Sequence, residues 1–146
     1  MTTFADSSVI VKLYVPEAGH AQARRLERPL LVSALATVEV AAAMWRKQRL
    51  GELEPADAAL LVRAFLADCA EPGDACPFVT VAVLAGILRH ATRLVARHPL
   101  RAYDAVQLAS ALATQQALGE PVTFAAADRA LNAAAAAEGL PLTPLD

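Results

Sequence analysis

Short apolar runs and longer amphipathic stretches alternate along this chain. Thr3 to Ala5 is apolar and stops at Asp6, after which Ser7 and Ser8 lead into Val9, Ile10, Val11 and Leu13. That pattern predicts a first strand whose C-terminal end presents a carboxylate, with a helix beginning at once. Pro16 to Gly19 forms a turn, and Ala21 to Arg28 a short helix closed by Pro29. Leu30 to Val32 reads as a buried strand, with Ser33 as the cap of a helix starting at Ala34. Leu35, Val38, Ala42 and Trp45 share one face of that helix and are expected to point inward, with Glu39 projecting along the same side. Gly51 is the expected stop.

Pro55 opens the next helix, with Leu60, Leu61, Ala64, Phe65 and Ala67 as its apolar stripe. Glu71 to Asp74 reads as a turn and Phe78 to Val83 as a β-branched strand. A helix follows with Leu84, Ile87, Leu88, Ala91, Leu94 and Val95 expected inward. Arg89, Arg93 and Arg97 recur every four residues on its other side, either a solvated face or a basic ridge. Pro99 ends it. Asp104 lies in the first turn of the next helix, ahead of Ala105, Leu108, Ala109 and Leu112, and Gly119 is its expected cap. Val122 to Ala127 predicts a strand ending at Asp128, and the last helix runs from about Arg129 to Glu138, stopping at Gly139. Leu140 to Leu145, broken by two prolines, would add an edge strand.

Strands alternate with helices throughout. The expected fold is therefore α/β, a mainly parallel central sheet covered by helices on both sides, in a single domain over residues 1–146. In such a sheet, strand C-terminal ends and the helix N-termini that follow share one edge. Asp6 and Asp128 end two strands; Glu39 and Asp104 begin two helices. Capping and dipole stabilisation account for each acid alone. Together they would converge, repel one another and raise their own pKa values unless cations bind. An all-oxygen donor set suits Mg²⁺ or Mn²⁺. A cation there can activate water and offset the charge of a phosphodiester transition state.

Composition narrows the partners. The 146 residues are 56% hydrophobic with a formal net charge of −2, so nucleic-acid binding must come from a local patch or from metal ions. Mean hydropathy is +0.39, yet uncharged runs such as Ala75 to Leu88 are too short to span a bilayer. Asp6 interrupts the first apolar run too early for a secretory leader, and the expected location is cytoplasmic. The surplus apolar surface points to a buried sheet and a subunit interface. Cys69 and Cys76 lack metal-site spacing and read as buried free thiols.

The segments FADSS, SALATVEVAAAMWR, LRAYDAVQLASAL and TFAAADRAL resemble, in order and spacing, the four acidic motifs of PIN-domain ribonucleases, in particular the VapC-type toxins of prokaryotic toxin–antitoxin pairs. The resemblance covers essentially the whole chain. It implies a three-layer α/β/α domain, Mg²⁺- or Mn²⁺-dependent RNA cleavage, a homodimer, and inhibition by a VapB-type antitoxin. Carried over residue by residue, the catalytic acids are Asp6, Glu39, Asp104 and Asp128. Asp6, Asp104 and Asp128 would hold the metal, with Glu39 reaching it through water or activating the attacking water. Ser8 would orient the first acid, and Thr37 is a weaker supporting candidate. Two other classes compete. A haloacid-dehalogenase-like phosphohydrolase would use Asp6 as nucleophile, but it wants a second aspartate where Ser8 stands. A non-catalytic module keeping the fold would have no need of all four acids. A receiver domain is excluded because no lysine follows Lys47.

Overall fold

The computed structural model describes residues 1–70 and 76–145. Four parallel strands form one sheet: β1 (Thr3–Ala5), β2 (Leu30–Ser33), β3 (Phe78–Val81) and β4 (Thr123–Ala125), in the order β3-β2-β1-β4. Seven helices occur among the described residues: α1 (Ser7–Tyr14), α2 (His20–Arg24), α3 (Ala36–Arg49), α4 (Pro55–Ala70), α5 (Ala85–Arg97), α6 (Ala102–Leu118) and α7 (Arg129–Ala137). The expected architecture is the observed one, with helices on both faces of a parallel sheet.

The pleat sorts the core into two layers. Phe4 and Phe124 are paired in register and stack at 6.0 Å between ring centroids, facing α5, α6 and α7. Ala5 and Ala125 point the other way, to a cluster built from α1, α3 and α4. There Phe65 meets Tyr14 and Phe78 edge to face. Burying Phe4, Phe65 and Phe124 completely contributes roughly 1.5–3 kcal/mol each relative to leaving them exposed. Small side chains let α6 sit deep: Ala105, Ala109, Ser110 and Ala111 are fully buried.

Several sequence expectations are corrected. On α3 the core face is Ala36, Val40 and Met44, whereas Val38 is 66% exposed. The helix carries two apolar stripes with the same spacing, so periodicity could not choose between them. On α5 only Ile87, Ala91 and Leu94 are buried; Leu84, Leu88 and Val95 face outward. On α4 the buried residues are Ala58 and Phe65, with Leu60 exposed. Ser33 ends β2, its hydroxyl accepting the Leu35 amide at 3.1 Å, and the helix begins two residues later than expected. The helix after Gly19 is shorter than expected. Strands β3 and β4 end before Val83 and Ala127, because the chain must turn into helices there. The C-terminal segment adds only an isolated bridge between Phe124 and Leu142. Cys69 and Cys76 are free thiols, half-buried rather than buried, and burial pushes the Cys69 thiol up to about 11. The expected turn from Glu71 to Asp74 lies outside the described residues. No described helix is long and apolar enough to cross a membrane.

Candidate active site

The strand order places β1 between β2 and β4, so the chain reverses its direction of travel across the sheet at the C-terminal end of β1. That is where open parallel sheets leave a crevice. Asp6 occupies it. Asp6 is 5% exposed and caps α1, its Oδ2 accepting the Ser8 amide at 3.2 Å and the Ser8 hydroxyl at 2.6 Å. Ser8 Oγ in turn accepts the Ala127 amide at 3.1 Å, tying the start of α1 to the loop after β4.

Asp6, Glu39 and Asp104 line one cleft of about 730 Å³. Burial raises the Asp6 pKa above the usual carboxylate value, against the lowering pull of the Ser8 bonds, and the Asp104 charge adds to it. Burial likewise raises Glu39, against the Gln107 bond, and the charges of Asp6 and Asp104 reinforce the rise. The charge of Asp104 thus reaches both Asp6 and Glu39. Asp104, in the first turn of α6, accepts Nε of Arg101 at 3.0 Å.

Asp128 stands apart from these three. Register pairs Thr3, Phe4 and Ala5 with Thr123, Phe124 and Ala125. Asp6 follows Ala5 directly, but Ala126 and Ala127 intervene before Asp128. Asp128 caps α7, its Oδ1 accepting the Leu131 amide at 2.8 Å, and it does not line the cleft. Its charge still reaches Arg101, alongside those of Asp104 and Asp6. Thr37 bonds the Ala34 carbonyl at 2.8 Å, within the first turn of α3. Arg89, Arg93 and Arg97 form an exposed ridge on α5 and none of them lines the cleft; Arg97 pairs with Glu138 at 3.2 Å. None of the three histidines lines it either.

Three residues at the site went unnoticed in the sequence. Gln107 is fully buried in α6, and its Nε2 donates to Glu39 Oε1 at 2.6 Å and to Ser7 Oγ at 2.9 Å. Ser7 Oγ also donates to Glu39 Oε1, at 3.1 Å. Arg101 is the third, 81% exposed at the cleft mouth. Their spacing was visible: Gln107 is three residues after Asp104, Arg101 three before it, and Ser7 directly follows Asp6. A polar residue on an otherwise apolar helix face was the available signal.

A divalent cation suits this donor chemistry, which is carboxylate oxygen throughout. Glu39 Oε2 and Asp104 Oδ1 carry no hydrogen bond among the described residues, while the other oxygen of each is engaged. The carboxylates are not drawn into a closed ligand cluster: among the described residues no three acidic, histidine or cysteine side chains stand close enough to hold a metal.

A family model for the PIN domain matches residues 3–137. Solved structures share the fold, among them these two. A toxin–antitoxin complex from Klebsiella pneumoniae contains a chain 14% identical, with a TM-score of 0.59, covering 99% of this chain and 98% of its own. The crystal structure of PAE2754 from Pyrobaculum aerophilum gives 20% identity and a TM-score of 0.61, covering 97% of this chain and 83% of its own. No curated protein gives a significant sequence match.

Proposed function

This chain belongs to the PIN-domain family, whose members are as a rule nucleases, and from that premise we propose that it is a divalent-metal-dependent endoribonuclease acting as the toxin of a VapBC-type pair. The observation that carries the reading is the convergence of Asp6, Glu39 and Asp104 on one cleft, where burial raises the pKa of Asp6 and Glu39. Carboxylate charge gathered there, offset only in part by the Arg101 bond to Asp104, favours an external cation.

Asp6 and Asp104 would hold Mg²⁺ or Mn²⁺ from within the cleft, with Asp128 contributing through water from the neighbouring loop. Bound there, the cation supplies Lewis-acid activation of water and charge neutralisation. The remaining work belongs to side chains. Ser8 fixes the Asp6 carboxylate. Gln107 and Ser7 hold Glu39 Oε1, which leaves Oε2 to orient the attacking water and take its proton. As water adds to phosphorus, the bond to the ribose 3′ oxygen breaks, and that oxygen leaves with a proton from solvent. The downstream fragment keeps a 5′-phosphate. Arg101 is placed to meet non-bridging phosphate oxygens once it releases Asp104.

The antitoxin partner is supported by the fold shared with a chain from a toxin–antitoxin complex. Homodimer formation is supported by the outward apolar residues Leu88 and Val95 of α5 and Leu84 at its cap. The decisive experiment incubates purified protein and Asp6→Asn with mixed RNA in Mg²⁺, Mn²⁺ and EDTA. Cleavage by the wild type in the metal arms alone, absent from the variant, is expected. Equal cleavage in EDTA would refute the reading.

A further inference from the structure

The cleft extends well beyond its acids. Val38, Ala42 and Arg46 on α3, with Leu35 and Leu50 at its two caps, also line it, a stripe at helical spacing that faces away from the core. Val38 and Leu50, 66% and 62% exposed, give it an open apolar floor. Tyr103, 63% exposed, lines it too, from the same helical turn as Asp104. Of the cations along the cleft, Lys47 is committed to Glu17 at 2.6 Å and Glu52 at 3.3 Å, and Arg101 to Asp104. The Arg46 backbone carbonyl accepts the Leu50 amide, but its exposed side chain makes no hydrogen bond or ion pair among the described residues.

We propose that this cleft carries a single RNA strand away from the acids along α3, with Arg46 binding a backbone phosphate and Tyr103 stacking on an unpaired base. The inference rests on the ribonuclease reading and adds the strand's path to it. Glu39 and Arg46 are seven residues apart on one helix, hence on nearly the same face and roughly 10 Å apart along its axis. That separation suits phosphates one or two nucleotides apart in an extended strand. A phosphodiester held at the acids would therefore bring a neighbouring phosphate to the one uncommitted cation of the cleft among the described residues. Unstacked bases need flat partners, which Tyr103 provides by its ring face and Val38 and Leu50 by apolar contact. A paired helix has its bases stacked inside and offers none to such partners.

The test is fluorescence-polarisation binding of a short single-stranded RNA of mixed sequence, and of the same strand annealed to its complement. Ca²⁺ replaces Mg²⁺, the strand is checked to remain intact, and a salt series is run. Arg46→Ala should weaken single-strand binding about tenfold and lower the log–log salt slope by about 0.7, the loss of one phosphate contact. Tyr103→Ala should weaken it about tenfold with the slope unchanged, and Tyr103→Phe should restore it. Arg63→Glu, at an exposed α4 position outside the cleft, is the control and should bind as wild type. The duplex should bind more weakly throughout. Wild-type binding by both Arg46→Ala and Tyr103→Ala, or duplex binding as tight as single-strand binding, overturns the proposal. If wild type still cleaves RNA with Mg²⁺ in that case, only the strand path is wrong. A wild type that neither binds nor cleaves RNA would sink the ribonuclease reading too.

Discussion

Gln107 keeps a buried Oε1 without a hydrogen-bond partner among the described residues. An orphaned acceptor of that kind costs about 1–3 kcal/mol, which an apolar side chain of similar size would avoid. The amide is retained where its other end orients Glu39. Gln107→Met should therefore leave the melting temperature in EDTA within a few degrees of wild type. It should lower Mg²⁺-dependent cleavage by one to two orders of magnitude, the worth of a hydrogen bond to a charged group, ~1.5–3 kcal/mol. A large fall in melting temperature with cleavage per folded molecule unchanged would make Gln107 a packing residue instead. Asp6 allows a second comparison. Its folded pKa, like that of Glu39, lies above the unfolded value, so its stabilising contribution is full below the unfolded pKa and lost as pH rises through the folded one. In EDTA, wild type should gain stability relative to Asp6→Asn as pH falls from neutrality toward the ordinary carboxylate values of 3.8 and 4.5. Asn caps a helix about as well as Asp, so the capping role drops out of the comparison. Mg²⁺ should raise the melting point of wild type and barely move the variant, since a ligand at 100 times its Kd stabilises by about 2.7 kcal/mol. Parallel pH profiles with equal Mg²⁺ shifts would show that Asp6 is only a cap.

Helix α3 has two apolar faces with different tasks. Ala36, Val40 and Met44 close the core, while Leu35, Val38 and Ala42 line the cleft. Met44→Ala should cost about 2–5 kcal/mol in urea unfolding, the range for large-to-small changes in a packed core. Val38→Ala should stay within about 0.5 kcal/mol, as surface substitutions do. Similar costs for the two would mean the helix is rotated from the orientation described. The loop after β4 shows the same division of labour. Ala126 and Ala127 displace Asp128 from the level of Asp6, and the bond from the Ala127 amide to Ser8 Oγ fixes the loop against α1. The second acid of the sheet edge is thereby held as a helix cap beside the cleft rather than in it.

For the whole molecule, charge decides how partners approach. The acids at the β1 edge are only partly offset, by Arg101 at the cleft mouth. An inhibitor that supplies a further arginine or lysine would find complementary charge there. Co-expression with a small antitoxin encoded beside this chain should suppress cleavage and yield a stable complex on size exclusion. Full cleavage and separate elution would argue against a toxin–antitoxin pair. Light scattering of the isolated protein tests the dimer, and Leu88→Glu on the outward face of α5 should shift it toward monomer.

The sequence by itself determined the alternation of strands and helices, the order of the acidic motifs and the ends of most helices. These are local matters: Asp6 stops a strand and caps α1, Pro55 starts α4, and the left-handed backbone at Gly51 and Gly119 suits glycine at a helix end. It also indicated which acids share an edge, because parallel topology follows from that alternation. Which side of α3 and α5 meets the core was decided only in the tertiary structure. Each helix carries more apolar residues than one contact can bury, and the sheet position selects among them. Register likewise decided that Asp128 falls outside the cleft, since strand pairing counts residues across 120 positions of chain. Gln107 acquired its place beside Glu39 the same way, from an amide on α6 and an acid on α3 that only the packed sheet brings within 2.6 Å.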